Sequence, residues 1–251
     1  MMLGIKNVRV KDAGSPAVRT VDKRIENSPE LKSMKRGERP AEENATEGKK
    51  LNVIAGAAGA AAPFIGLGSA IAAAELTKNF SWTGNVISDM LGTKYGLVLS
   101  GGLIASGVLT SIFAYGVYKR SRSALGKAGA AVIAAGGACL SMVGVTYGDL
   151  AWLHPYVSRG YFFMLPAGIL LAGIREIKSK KERVLGVGST SISVLSGLAI
   201  FGYKLTGMAF SAVFEISEAA LVGSWVAVAG AAMAISAIKA RAKKHKTEDV
   251  D

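Results

Sequence analysis

The chain has 251 residues, of which 50% are hydrophobic, 30 are lysine or arginine and 18 are aspartate or glutamate, for a formal charge of +12. That charge does not describe a nucleic-acid-binding protein: outside the first fifty residues the basic side chains flank apolar runs in short clusters, and no basic face with interleaved aromatics occurs. The lone cysteine, Cys139, excludes an intrachain disulfide, and the lack of a glycine-rich phosphate loop, a CxxC pair or a histidine pair at helical spacing excludes soluble cofactor enzymes.

Met1 to Lys50 mixes acidic and basic residues with Ser, Pro and Gly and holds too few large apolar side chains for a core, so it reads as a disordered or marginally helical tail. The first apolar run begins only near Leu51, too late for a secretory signal peptide, and is expected to remain as a helix. Six runs follow, most of them close to the ~20 residues a helix needs to cross hydrocarbon. They cover about Leu51 to Leu76, Tyr95 to Tyr118, Ala128 to Tyr147, Gly160 to Ile174, Val184 to Tyr203 and Ser217 to Ile238. The fourth is short and extends into Pro155 to Ser158, since proline is tolerated in a helix's first turn. The sequence thus predicts an all-α, polytopic integral membrane protein: a charged tail over 1–50, a six-helix transmembrane domain over 51–238 and a charged tail over 239–251.

Lys49 and Lys50 precede the first run. Lys119, Arg120, Arg122 and Lys127 follow the second, Arg175, Lys178, Lys180, Lys181 and Arg183 the fourth, and Lys239, Arg241, Lys243, Lys244 and Lys246 the sixth. The opposite loops carry only Lys78, Lys94, Arg159 and Lys204. By the positive-inside rule both termini are cytoplasmic and the loops after spans one, three and five face outward, as in a multi-pass protein of the cell membrane. The same clusters are placed to meet anionic lipid headgroups. Small residues four apart at Gly102 and Ser106, Gly168 and Ala172, and Gly223 and Ala227 predict close helix approach in a compact bundle.

On this topology Glu75, Asp89, Asp149, His154, Arg159, Glu215 and Glu218 all fall near outer helix ends, and ionisable groups close to lipid are the first place to look for function. Glu75 is most simply a solvated boundary residue. In the first outer loop, NFSWTGNVISDMLGTK, Ser88 and Asp89 are placed to cap a helix entering the membrane or to join a polar site. The second, YGDLAWLHPY, brings Asp149 and His154 to the start of the fourth span with Arg159 just beyond. His154 is chemically suited to be a base or a metal ligand, but a single histidine makes a poor zinc site, so no metal or cofactor is expected. Glu215 and Glu218 share a helix face; if buried, one would hold a proton or pair with Arg159 or Lys204, and if not, Glu215 is solvated while Ser217 or Glu218 favours the helix start. Trp82, Trp152, Tyr95, Tyr156, Tyr161 and Tyr203 fall where aromatic side chains anchor at headgroups, whereas Trp225 lies deeper.

Phe80-Ser81-Trp82, then Ile87-Ser88-Asp89-Met90-Leu91-Gly92, then Gly101-Gly102-Leu103-Ile104 resemble the "S-D-L-G" loop and "G-L-I" stretch of the prokaryotic six-helix membrane proteins of the domain-of-unknown-function 998 family, with Met90 inserted between Asp89 and Leu91. The resemblance continues through His154 before the fourth helix and Glu218 in the sixth, and covers about Leu51 to Ile238. It implies the six-helix fold and a cluster built around Asp89, His154 and Glu218, and no particular reaction.

These features favour a non-enzymatic membrane component with an outer polar cluster of Ser88, Asp89, Asp149, His154, Arg159, Glu215 and Glu218. One alternative is a membrane enzyme acting on a lipid or glycan headgroup, with His154 as base and Asp89 or Glu218 orienting it. The other is a small-molecule or ion transporter, although transporters usually carry ionisable groups at mid-membrane. The expected partner is the bilayer itself; oligomeric state is not encoded.

Overall fold

Lipid offers no hydrogen bonds, so each apolar run must satisfy its own backbone, and the helix does this within one segment. In the computed structural model the chain forms α1 (Ala41–Leu76), α2 (Gly96–Arg120), α3 (Ala124–Val143), α4 (His154–Ile177), α5 (Arg183–Thr206) and α6 (Ala212–Glu248), with 3₁₀ helices η1 (Ile87–Gly92) and η2 (Gly148–Leu153). The structure describes residues 41–177, 180, 182–206 and 211–248, with the backbone alone at 41–46, 204 and 243–248. The tail over 1–40, Lys178 and Lys181 lie outside the described residues, as do the side chains of Lys204, Lys243, Lys244 and Lys246. Among the described residues six helices are long and apolar enough to cross a membrane, and no strand occurs. The chain divides after Gly48, and Lys49–Asp251 forms one unit.

The helix boundaries have local causes. α1 starts at Ala41, inside the stretch read as tail, where Ala and Glu are good helix formers. Three residues past its end at Leu76 the chain turns at Asn79, which takes a left-handed φ of 63° that asparagine tolerates better than most residues. α3 starts where Ser123 accepts the Gly126 N–H at 3.1 Å. α6 starts five residues before the expected Ser217, because Ala212 and Val213 donate their N–H groups to the carbonyls of Asn85 (2.7 Å) and Trp82 (3.1 Å). The connection after α1 therefore caps α6.

Small residues let the helices meet backbone to backbone. A Cβ built at Gly107 would lie 2.3 Å from the Gly137 carbonyl oxygen, and one at Gly137 would lie 2.7 Å from that of Gly107, which fixes α2 on α3. Gly129 and Gly168 do the same for α3 on α4, and Gly56 and Gly230 for α1 on α6. Of the pairs expected from sequence, Gly168 sits at such a contact, Gly223 packs against the Pro63 ring, and Ser106 donates to the Ala62 carbonyl at 2.8 Å. Phe113, Ile133, Leu165, Ile169, Val222 and Trp225 fill the centre, with Phe113 and Trp225 edge to face at 6.0 Å between centroids. A smaller cluster of Met90, Leu91, Leu99 and Ala73 seats η1 against α1 and α2. Val184, Leu97, Phe64 and Leu205 point outward, which suits a lipid-facing surface.

Candidate functional site

The connections after α1, α3 and α5 share one end of the bundle, called here the distal end; the other carries Arg120, Lys127 and Arg175 and is called the basic end. At the distal end η1 is held from two sides. Asp89 accepts the Val86 N–H (3.1 Å) and the Asn85 side-chain amide (3.0 Å) through Oδ2, so it caps a short turn inside the loop rather than the membrane helix that follows. Glu215, from the first turn of α6, reaches across 128 residues of sequence to accept the Ile87 N–H at 2.5 Å.

His154 opens α4 after η2, a turn made possible by Gly148 at φ 59°. Both ring nitrogens have hydroxyl partners: Nδ1 is 3.0 Å from Thr146 Oγ1, and Nε2 is 3.1 Å from Ser158 Oγ, one turn further along the same helix. Thr146 is buried and also donates to the Val143 carbonyl at 3.2 Å.

These residues border a cavity of about 830 Å³, counting the space at its open mouth, between α1, α2, α3, α4 and α6. Ser88, His154, Ser158 and Glu215 line it near the distal end, while Leu67, Ala70, Leu103, Leu140, Phe162 and Val226 supply apolar walls. Glu215 and Val226 are 11 residues apart, as are His154 and Leu165, so the lining descends roughly 16 Å at 1.5 Å per residue. That is about half the hydrocarbon thickness. Tyr161, expected at the headgroup interface, is instead 8% exposed, forms part of the cavity wall and packs its ring against Phe162 at 5.0 Å. Ser106 and Thr110 lie at the deep end, with hydroxyls donated to backbone carbonyls.

Of the seven residues read from sequence, the cavity gathers Ser88, His154 and Glu215. Asp149 and Arg159 are exposed, and Asp89 is turned into its own loop. Glu218 is 3% exposed and accepts the Ser196 hydroxyl from α5 through Oε1, while its Oε2 has no partner. Although three apart, Glu215 and Glu218 diverge by about 60° around the helix, enough to address different neighbours. Neither stands as a solvated helix-end residue. Thr146 and Ser158 were not singled out in the sequence; the Ser158 contact has a signal there, its i, i+4 spacing from His154, and the Thr146 contact has none. Among the described residues no three His, Cys, Asp or Glu side chains gather as a metal ion would need.

Six membrane-length helices packed on small residues, with charge confined mainly to their ends, define a multi-pass membrane protein. Residues 60–232 match the family described as Protein of unknown function (DUF998), and the chain belongs to that family. No curated protein and no solved structure matches it.

Proposed function

We propose that the protein is a non-enzymatic component of the cell membrane, with both termini cytoplasmic, that holds an amphipathic molecule in the outer half of its bundle. The observation that carries this reading is the cavity, which has a carboxyl and an imidazole near its distal end and apolar walls below. Its lining contains Glu215 and His154 but no lysine or arginine. A phosphate head would meet an acidic group with no cation to pair it, so the head that fits bears hydroxyl or amine donors. Orientation rests on the basic end: the ammonium groups of Lys119 and Lys127 lie 5.3 and 5.5 Å from the ring centroids of Tyr115 and Tyr118, a snorkelling arrangement suited to a headgroup boundary where anionic lipids are met.

The test uses a long-chain alkylamine carrying a photoactivatable diazirine, with the full chain in lipid nanodiscs. The wild-type protein is expected to be labelled on α1 and α4 residues of the cavity wall, and Ala219→Phe, which fills the lining from α6, to lose that labelling while melting unchanged. Equal labelling of both proteins would refute the reading.

A second reading, an enzyme acting on an ester near the headgroup, has one contact in its favour: Ser158 Oγ stands 3.1 Å from His154 Nε2, with Thr146 holding the far side of the ring. In that case Ser158→Ala abolishes hydrolysis of an acyl ester and leaves alkylamine labelling intact.

A further inference from the structure

α5 and α6 carry a second buried polar arrangement, which the cavity does not use. On α5 the large apolar side chains Val184, Val194, Leu198 and Phe201 are exposed, whereas the buried stripe consists of Gly186, Ser189, Ser193 and Ser196. The serines stand at i, i+4 and i+7 on one face, 0%, 6% and 0% exposed, and cover roughly 10 Å of helix.

Two contacts register this face against α6. Ser196 donates to Glu218, and the Trp225 indole N–H donates to Ser189 Oγ at 2.5 Å. Seven residues along α5 are matched by seven back along α6, so the pair runs antiparallel and Ser193 falls opposite the turn containing Leu221 and Val222. Carboxyl groups close both ends of the row. Glu218 stands at one, with Tyr161 of α4 within electrostatic reach. Glu176 stands at the other, at the end of α4, where a Cβ built at Gly186 would lie 2.8 Å from the Glu176 carbonyl carbon and where the Glu176 side chain interacts with Ser189, Arg175, Glu182 and Arg120.

Three oxygens of this row are buried without a partner: Glu218 Oε2, Ser193 Oγ and Glu176 Oε2. Orphaned buried oxygens are costly, and close packing alone would be served as well by alanine. Ser189 also donates to the Leu185 carbonyl at 2.7 Å, so the free acceptors are those on Glu218, Ser193 and Glu176, one at each end of the row and one within it, which is what a chain of bound waters requires.

We propose that Glu218, Ser196, Ser193, Ser189 and Glu176 form a hydrated proton-conducting track between α4, α5 and α6. A proton taken up at Glu218 from water on the distal side passes along the file as each hydroxyl or water accepts one on its oxygen and releases its own to the next, Ser189 turning its hydrogen from the Leu185 carbonyl as it does so. Glu176 returns it to water at the basic end. Only O–H bonds form and break, and the net change is one proton moved.

The full chain is reconstituted into liposomes containing a pH-sensitive dye, and a potassium diffusion potential, negative inside, is imposed with valinomycin. Wild-type protein is expected to acidify the lumen roughly tenfold faster than occurs in protein-free vesicles, and Glu218→Gln to remove the gain. Ser193→Ala deletes a hydroxyl that has no partner and so leaves melting unchanged, yet it should also slow the flux by roughly tenfold, whereas Ser224→Ala on the exposed side of α6 should not. A wild-type rate equal to that of protein-free vesicles, or an undiminished rate in Ser193→Ala, overturns the proposal. The flux assay uses no alkylamine and therefore fails or succeeds independently of the cavity reading.

Discussion

Glu215→Ala removes a side-chain bond that ties the connection after α1 to the body of α6. The Ile87 N–H it accepts is part-buried and would be left without an acceptor. An orphaned donor of that kind costs about 1–3 kcal/mol, so we take about 2 kcal/mol as the expected loss. The backbone bonds from Ala212 to Asn85 and from Val213 to Trp82 persist, so the connection stays docked. For a chain of this size the loss corresponds to a melting temperature lower by about 4–8 °C in detergent. Amide exchange at Ile87 should quicken by about thirtyfold, the same free energy expressed as local opening. Glu215→Gln keeps a side-chain oxygen in place and should recover most of both effects. An alanine variant that melts within about 1 °C of wild type, with unchanged exchange at Ile87, would refute the claim that this contact closes the distal end.

Gly107→Ala places a methyl 2.3 Å from the Gly137 carbonyl oxygen and should cost about 1–3 kcal/mol, whereas Gly101→Ala, with nothing within 4 Å, should be neutral or stabilise by up to about 1 kcal/mol; melting of the two variants side by side checks both. Trp225→Phe keeps the ring contact with Phe113 but loses the donor to Ser189, and should lower stability by about 1 kcal/mol with loss of the buried component of tryptophan fluorescence. In a Cys139→Ala background, Thr83→Cys should react with a membrane-impermeant maleimide added outside intact cells; reaction only after the inner face is opened would invert the topology and the reading of the cavity with it.

The number of spans is legible because lipid leaves a long apolar run almost no conformation but the helix. Where α6 begins is not: its first N–H groups are satisfied by the carbonyls of Asn85 and Trp82, and no local pattern near Ser217 encodes partners so distant in the chain. His154 stands out from sequence as a lone imidazole at a helix start, and Ser158 could be found one turn on, but Thr146 reaches the ring only because η2 folds back through Gly148. The pairing of Asp89, His154 and Glu218 suggested by the family resemblance has no counterpart in the hydrogen bonds, which tie each of the three to a different neighbour.

The serine stripe of α5 shows why the interior is hard to read in such a chain. In water, hydrophobicity and burial coincide, so an apolar stripe marks the core. In lipid the outside is as apolar as leucine, and the gain from packing comes from close approach and from polar groups that find one another. The residues buried here follow that rule: Gly107, Gly137, Ser189, Ser196 and Ala55 are inside, while Val184 and Leu205 are among the most exposed. Hydropathy therefore places the six helices, but on α5 it assigns the faces backwards. The periodicity of small and hydroxyl-bearing residues carries the inward face instead, and on α5 it leads from Glu176 to Glu218.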